Sequence, residues 1–457
     1  MTADSGRLII VSNRMGDPGK PPKGGLAVAL NGALNAVGGI WLGWSGKIGA
    51  TTGTTSERQV GSVKLVGIDL TQRDYEGYYL GYANSVLWPA FHHRQDLIDQ
   101  HPEHFEAYCR VNRAFAEKLA KLVKPQDTIW VHDYHLLCVA MELRSMGVNN
   151  SIGFFLHIPL PPSQIMSAVP NNELLMRALM HFDLVGLQTE ADVLNFRLYA
   201  ERNLGVELDN PDTVTAFGRT ARVEAFPIGI DVDQFRALLE TDYSTELVGR
   251  LGRSSSGRVL VTGVDRLDYS KGLPDRLKVF DRLLEKYPAN QRETTLVQIA
   301  SPTRENVDAY ADIRAELEGL SGAINGKHGR IDWTPIRYIH RNVPRSRLAG
   351  LFSISRVGLV TPLRDGMNLV AKEYVAVQSD EDPGVLVLSQ FAGAAEEMEE
   401  AVIVNPHDIE QTADCLQRAL VMPLEERRER HQALKARVET GNVVTWCETF
   451  LARLQSV

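Results

Sequence analysis

Two cations, Arg266 and Lys271, stand in the run Val264-Asp265-Arg266-Leu267-Asp268-Tyr269-Ser270-Lys271-Gly272, just beyond an apolar stretch that reads as a strand. They straddle a turn, so both can converge on one diphosphate, while a helix starting near Pro274 adds its amide dipole. The alternative is a surface loop with two solvated bases. Arg304, after Ser301-Pro302-Thr303, repeats the order of strand then arginine and suits another phosphate. In Thr361-Pro362-Leu363-Arg364-Asp365-Gly366-Met367-Asn368-Leu369-Val370-Ala371-Lys372-Glu373, Asp365 falls where a strand gives way to a helix. Gly366 leaves the amides beyond it accessible, and Glu373 follows about two helical turns later. Two carboxylates and a fan of amides can read sugar hydroxyls and a ribose diol; an ordinary N-cap role also accounts for Asp365.

His132-Asp133-Tyr134-His135-Leu136-Leu137 closes another apolar run. An ionised carboxylate accepts from hydroxyls and an aromatic face covers a ring, so the stretch suits a sugar. It is a poor zinc site, because no third ligand accompanies the two histidines; buried, hydrogen-bonded histidines are the plainer alternative. His157, at the end of Phe154-Phe155-Leu156-His157-Ile158, fits a core histidine when taken alone. Near the start, Ser12-Asn13-Arg14 leads through a loop with Lys20 and Lys23 into Gly24-Gly25-Leu26. Paired glycines opening a helix expose amides to an anion, or simply make a tight turn. No G-x-G-x-x-G follows a strand, and Gly326-Lys327 lacks the context of a Walker loop.

The elements that must hold these residues are legible as short β-branched runs between segments of helical periodicity, the pattern of parallel strands joined by crossover helices. The runs are Leu8 to Ser12, Thr128 to His132, Ile152 to His157 and Leu184 to Gln188, then Arg258 to Thr262, Thr294 to Ile299, Ile336 to Ile339, Val357 to Thr361, Val385 to Ser389 and Ala401 to Val404. Each half is expected to be α/β, a doubly wound sheet of its own, with residues 1–230 and 231–442 as the two domains and the seam near Phe226-Pro227-Ile228-Gly229. In such sheets ligands bind beyond the carboxyl ends of the strands, where the unusual polar groups lie. Gly252-Arg253-Ser254-Ser255-Ser256-Gly257 reads as an exposed loop.

Composition sets limits. The 457 residues are 44% hydrophobic and 23% charged, which excludes disorder. A net charge of −8 argues against nucleic acid or anionic lipid as partner, so any anionic ligand needs a local basic cluster. The first apolar run is too short for a signal core and no segment approaches a membrane span, so a cytoplasmic protein is expected. Cys109, Cys138, Cys415 and Cys447 form no C-x-x-C pair and read as reduced thiols.

Taken in order, Ser12-Asn13-Arg14, Gly24-Gly25-Leu26, Leu87-Trp88-Pro89-Ala90-Phe91-His92, His132 to Leu137, Arg266 to Gly272 and Asp365 to Tyr374 closely resemble the trehalose-6-phosphate synthases along nearly the whole chain. The resemblance implies the GT-B architecture, two facing Rossmann-like domains with the active site in the cleft between them, and a last helix, about 443–457, that returns to the first domain. It implies retaining transfer of glucose from a nucleoside diphosphate glucose, usually UDP-glucose, to glucose 6-phosphate. By its motifs Arg14, Tyr79, Trp88, Asp133 and Arg304 hold the acceptor, with both arginines on its phosphate. Gly24, Gly25, His157, Arg266, Lys271, Val343, Asp365, Gly366, Met367, Asn368, Leu369, Val370 and Glu373 hold the donor. Trp88 and Ile158 select the acceptor's α-anomer, and Asp133, His157, Arg266 and Lys271 are the catalytic set. No cofactor and no metal are expected, and the family favours a homodimer or homotetramer. His93, Thr303 and the proline-rich loop from Pro18 to Pro22 depart from the family pattern without removing an assigned charge.

Three other readings compete. A related synthase could use glycerol 3-phosphate as acceptor, that is, a glucosylglycerol-phosphate synthase. A nicotinamide-dependent oxidoreductase needs the missing glycine fingerprint. A silent sugar-phosphate sensor would be expected to lack Arg266, Lys271 or Asp365, all of which are present.

Overall fold

A computed structural model of the chain describes residues 6–16, 30, 34, 38–208, 210–255, 257–303 and 308–456, with the backbone alone for 250–255 and 308. Gly24, Gly25 and Arg304 therefore lie outside the described residues, as do Lys20 and Lys23. Among the described residues no helix is long and apolar enough to cross a membrane.

The chain divides into two units, residues 1–228 with 443–457, and residues 229–442. Among the described residues the first holds nine strands: β1 Leu8–Arg14, β2 Gly39–Ile48, β3 Thr55–Val60, β4 Val63–Leu70, β5 Thr128–His132, β6 Ile152–Phe155, β7 Leu184–Leu187, β8 Thr213–Ala216 and β9 Arg219–Ala225. Their order is β3-β4-β2-β1-β5-β6-β7-β9-β8, parallel except where β3 pairs with β4 and β8 with β9. The second unit holds β10 Val259–Arg266, β11 Thr294–Ser301, β12 Ile336–Ile339, β13 Val357–Val360, β14 Val385–Ser389 and β15 Val402–Val404. Its order, β12-β11-β10-β13-β14-β15, is wholly parallel and matches the 3-2-1-4-5-6 Rossmann sequence.

The α/β reading with a parallel sheet in each half holds. Five strands of the first sheet, β2, β3, β4, β8 and β9, were not legible. β2 reads Gly-Ile-Trp-Leu-Gly-Trp-Ser-Gly-Lys-Ile, where glycines break up the apolar run, and β3 is a mostly exposed edge strand. The β8–β9 hairpin turns at Phe217-Gly218, both at positive φ (54° and 71°), without the Asn-Gly or Asp-Gly that announces such a turn. One expectation is corrected: the segment from Gly252 is not a loop but continues the helix Asp242–Ser255.

The last helix, Val443–Gln455, packs within the first unit. Gly153 of β6 and Gly186 of β7 make room for it, since a Cβ at either would come within 2.8 and 2.7 Å of the Phe450 ring. Phe450 stacks on Trp130 of β5 at 4.5 Å between centroids, and Trp446 lies 4.9 Å from the same indole.

Candidate functional site

In each sheet the parallel strands lead off in opposite directions on the two sides of its first strand, and open parallel sheets bind ligands beyond the strand ends at such a point. In the first unit the reversal separates β1 from β5, so Arg14 and Asp133 emerge side by side, Ser12 being in register with His132 and His132 with Phe155. In the second it separates β10 from β13, which brings Arg266 and the segment after Thr361 to neighbouring strand ends.

Arg14 is exposed, its guanidinium 5.3 Å from the centroid of Trp44. From Trp44 a row of rings continues through Tyr75 (5.2 Å), Tyr79 (5.5 Å, stacked), His135 (5.8 Å, stacked), Tyr134 (3.9 Å) and Trp88 (5.7 Å). Arg14, Tyr79 and Trp88 thus belong to one aromatic row, which runs from the exposed Arg14 to the buried Trp88. Its supporting element is a π-helix, Tyr75–Leu87, a rare form that accompanies functional sites. The buried Asn84 pins it, donating to the Tyr79 carbonyl (2.7 Å) and accepting from the Tyr134 hydroxyl (2.9 Å). Trp88 and Ile158 are both buried. Trp44 and Tyr75 were not singled out from the sequence. Trp44 lies on the unread β2; the Tyr75, Tyr78, Tyr79, Tyr82 cluster was the available signal for Tyr75.

Asp133 has φ 77° and ψ 162°, a region close to glycine-only, which costs about 1–3 kcal/mol. Hydrogen bonds hold it there: its amide donates to the Phe155 carbonyl (2.8 Å), its carbonyl accepts from the Leu136 amide (3.1 Å), and its carboxylate accepts from the His157 amide (3.3 Å). The carboxylate also lies 4.0 Å from His135 Nδ1. His157 and His132 meet ring to ring, Nδ1 of His132 standing 3.2 Å from Nε2 of His157. Burial pushes His157 down to about 3. It also holds His132 well below the usual histidine value, helped by the neighbouring His157.

In the second unit Arg266 ends β10 and is exposed, whereas Lys271 is buried and pairs with Asp365 at 2.5 Å. Next to them Arg276, buried in the helix Leu273–Lys286, bonds Asp265 of β10 (2.8 Å), Thr361 just past β13 (3.0 Å) and Gln298 of β11 (3.2 Å), and so ties the ends of three neighbouring strands together. Arg276 was missed in the sequence. Its signal was a charge on the apolar stripe of Leu273, Leu277 and Phe280. Burial raises the Asp265 carboxyl, against the pull of Arg276 and Lys271. Gly272, at φ 61°, cannot carry a side chain, since a Cβ would sit 2.7 Å from the Thr361 carbonyl.

Asp365 is not the N-cap of the following helix, Leu369–Ala376. Asn368 is, at φ 80°, accepting from the Ala371 amide. Asp365 instead takes Lys271 and the Asn368 side-chain amide (3.0 Å). Beyond it, Gly366, Met367, Leu369 and Val370 lead into the first turn, whose amides have no carbonyl partner within the helix. Glu373, on the same helix, pairs with Arg345 at 2.7 Å; burial raises its carboxyl and Arg345 opposes the rise. Val343 is half-buried, just before the helix Arg345–Ser353. Among the described residues no group of His, Cys, Asp or Glu is placed to hold a metal ion.

The family model for glycosyltransferase family 20 matches residues 13–456. The trehalose-6-phosphate synthase of Enterobacter sp. (strain 638) is 45% identical over 98% of this chain and 95% of its own. That of Sinorhizobium fredii is 46% identical over 97% of each. Among solved structures, an α,α-trehalose-phosphate synthase (UDP-forming) from Burkholderia xenovorans in complex with glucose-6-phosphate is 48% identical, with a TM-score of 0.94 over 98% of this chain and 100% of that one. The E. coli protein bound with UDP-2-fluoro glucose is 44% identical, with a TM-score of 0.95 over 99% of each.

Proposed function

The chain belongs to glycosyltransferase family 20, and from that premise we propose that it transfers glucose, with retention, from UDP-glucose to the anomeric hydroxyl of glucose 6-phosphate, giving α,α-trehalose 6-phosphate. The observation that carries the reading is the placement of sugar-type and diphosphate-type residues at the two switch points, Arg14 and Asp133 in one unit, Arg266, Lys271 and Asp365 in the other.

In this reading Arg14 and Arg304 take the acceptor phosphate, while Tyr79, Trp88 and Asp133 hold its sugar. Arg266, Lys271 and the amides of Gly24 and Gly25 receive the diphosphate. Asp365, the amides from Gly366 to Val370 and Glu373 bind sugar and ribose hydroxyls, His157 touches the glucosyl group, Val343 meets the base through its backbone, and Trp88 with Ile158 selects the anomer. No carboxylate is assigned as nucleophile, which fits a front-face path. The bond from C1 to the diphosphate oxygen breaks, the acceptor oxygen bonds to C1 on the same face, and its proton passes to the departing oxygen. Charge then grows on the leaving diphosphate, where preorganised cations count most. Lys271 has three N–H groups, so it can keep Asp365 and still reach the diphosphate. The neutralising charge comes from side chains, so turnover is expected to survive a chelator. The working form is a homodimer or homotetramer.

The test is release of nucleoside diphosphate by chelator-treated protein, with UDP-, ADP- or GDP-glucose offered beside glucose 6-phosphate or glycerol 3-phosphate. Release that needs UDP-glucose and glucose 6-phosphate is expected. Release with glycerol 3-phosphate alone replaces the acceptor, and silence with every pair overturns the reading.

A further inference from the structure

The pairing of His132 with His157 is used by none of the roles above. His132 ends β5 with none of its surface exposed, and its Nδ1 stands 3.2 Å from Nε2 of the half-buried His157. One proton lies between the two nitrogens, so the pair has two neutral arrangements. In one, His132 donates and His157 carries its own proton on Nδ1. In the other, His157 donates from Nε2 and its Nδ1 is bare.

The surroundings choose between them. His132 packs on Trp130 (4.5 Å), and Phe155 and Trp446 lie 6.5 and 6.4 Å away. Its Nε2 is buried with no hydrogen-bond partner, and so are the indole N–H groups of Trp130 and Trp446. The pocket already holds two donors without acceptors. A third N–H, at His132 Nε2, would face two donors that already lack acceptors, whereas a bare ring nitrogen gives the pocket an acceptor in their place. The depressed basicity of both rings excludes a shared extra proton at neutral pH.

We propose that His132 is a positioning residue: it donates from Nδ1 to His157 Nε2, fixing His157 as the Nδ1–H tautomer that offers a hydrogen-bond donor to the glucosyl group of the nucleotide sugar. Trp446 of the last helix lies 6.1 Å from the His157 ring and helps wall the pair. The inference rests on His157 touching the donor sugar.

Nitrogen-15 spectra of the histidine-labelled full chain test it directly, with His157→Ala identifying the resonances. A protonated Nδ1 and bare Nε2 on His157 are expected; the reverse overturns the proposal. In kinetics, His132→Phe is expected to raise KM for UDP-glucose about fivefold to tenfold, the worth of one net hydrogen bond, without changing KM for glucose 6-phosphate. His132→Asn, which keeps an N–H near the Nδ1 position, restores values within about twofold. In a His157→Ala background His132→Phe has no further effect. Equal losses in both backgrounds make His132 merely structural and overturn the proposal alone. If His157→Ala itself leaves donor use unchanged, the assignment of His157 to the sugar falls first, and this inference with it.

Discussion

Asp133 is the residue whose backbone and chemistry are most tightly opposed. Its conformation suits glycine, yet a carboxylate is kept there beside the His157 amide. Asp133→Gly is therefore expected to hold or raise stability by about 1 kcal/mol through relief of strain. The same change is expected to lower activity with glucose 6-phosphate by about a hundredfold or more, read by calorimetry and by diphosphate release. Arg266→Ala and Lys271→Ala are each expected to raise the barrier by about 3–4 kcal/mol, read as kcat. Near-normal turnover in Arg266→Ala would sink the leaving-group assignment. The buried histidines also give an acid limb to stability. An unfolded histidine titrates near 6.5, whereas His157 in the fold titrates at about 3, so between these values the unfolded chain binds more protons. Stability from this source is complete above pH 6.5 and is lost as the pH falls. His157→Gln is expected to flatten that limb in the pH dependence of the denaturant midpoint.

At the level of elements, the wider turn of the π-helix Tyr75–Leu87 brings residues five apart into line, so that the Asn84 side chain reaches the Tyr79 carbonyl at 2.7 Å, a pairing the four-residue repeat of an α-helix does not favour. Asn84→Ala removes the donor to that carbonyl and the acceptor for the Tyr134 hydroxyl. A loss of about 1–3 kcal/mol is expected from buried groups of this kind. The aromatic row is expected to loosen with it, so that KM for glucose 6-phosphate rises while KM for UDP-glucose holds. No periodicity announces a π-turn, because the wider turn is decided by what the side chains meet across the unit.

For the whole molecule, the discontinuous first unit carries the sharpest expectation. Residues 229–442 are continuous and own a complete sheet, and expressed alone they are expected to unfold cooperatively in denaturant. Residues 1–228 lack Phe450, which is fully buried against β5, β6 and β7, and are expected to be soluble and cooperative only when 443–457 is supplied, in cis or as a peptide. Truncating a buried phenylalanine alone costs about 3–5 kcal/mol, a large part of a domain's stability. The strands that matter most were legible because a strand buried on both faces must be largely apolar, and the charges at its end then stand out: Arg266 as the last residue of β10, Asp133 just after β5. Glycine-rich β2, the edge hairpins and the π-helix carry no such contrast. Residue types and their order therefore specified the α/β class, the family and the list of chemical groups. The pairings Lys271 with Asp365, Arg345 with Glu373 and His132 with His157, the cap at Asn368 and the strained Asp133 were decided by tertiary structure, because each depends on which strand ends the sheet order makes neighbours, and that order is a property of long-range packing rather than of any local run of sequence.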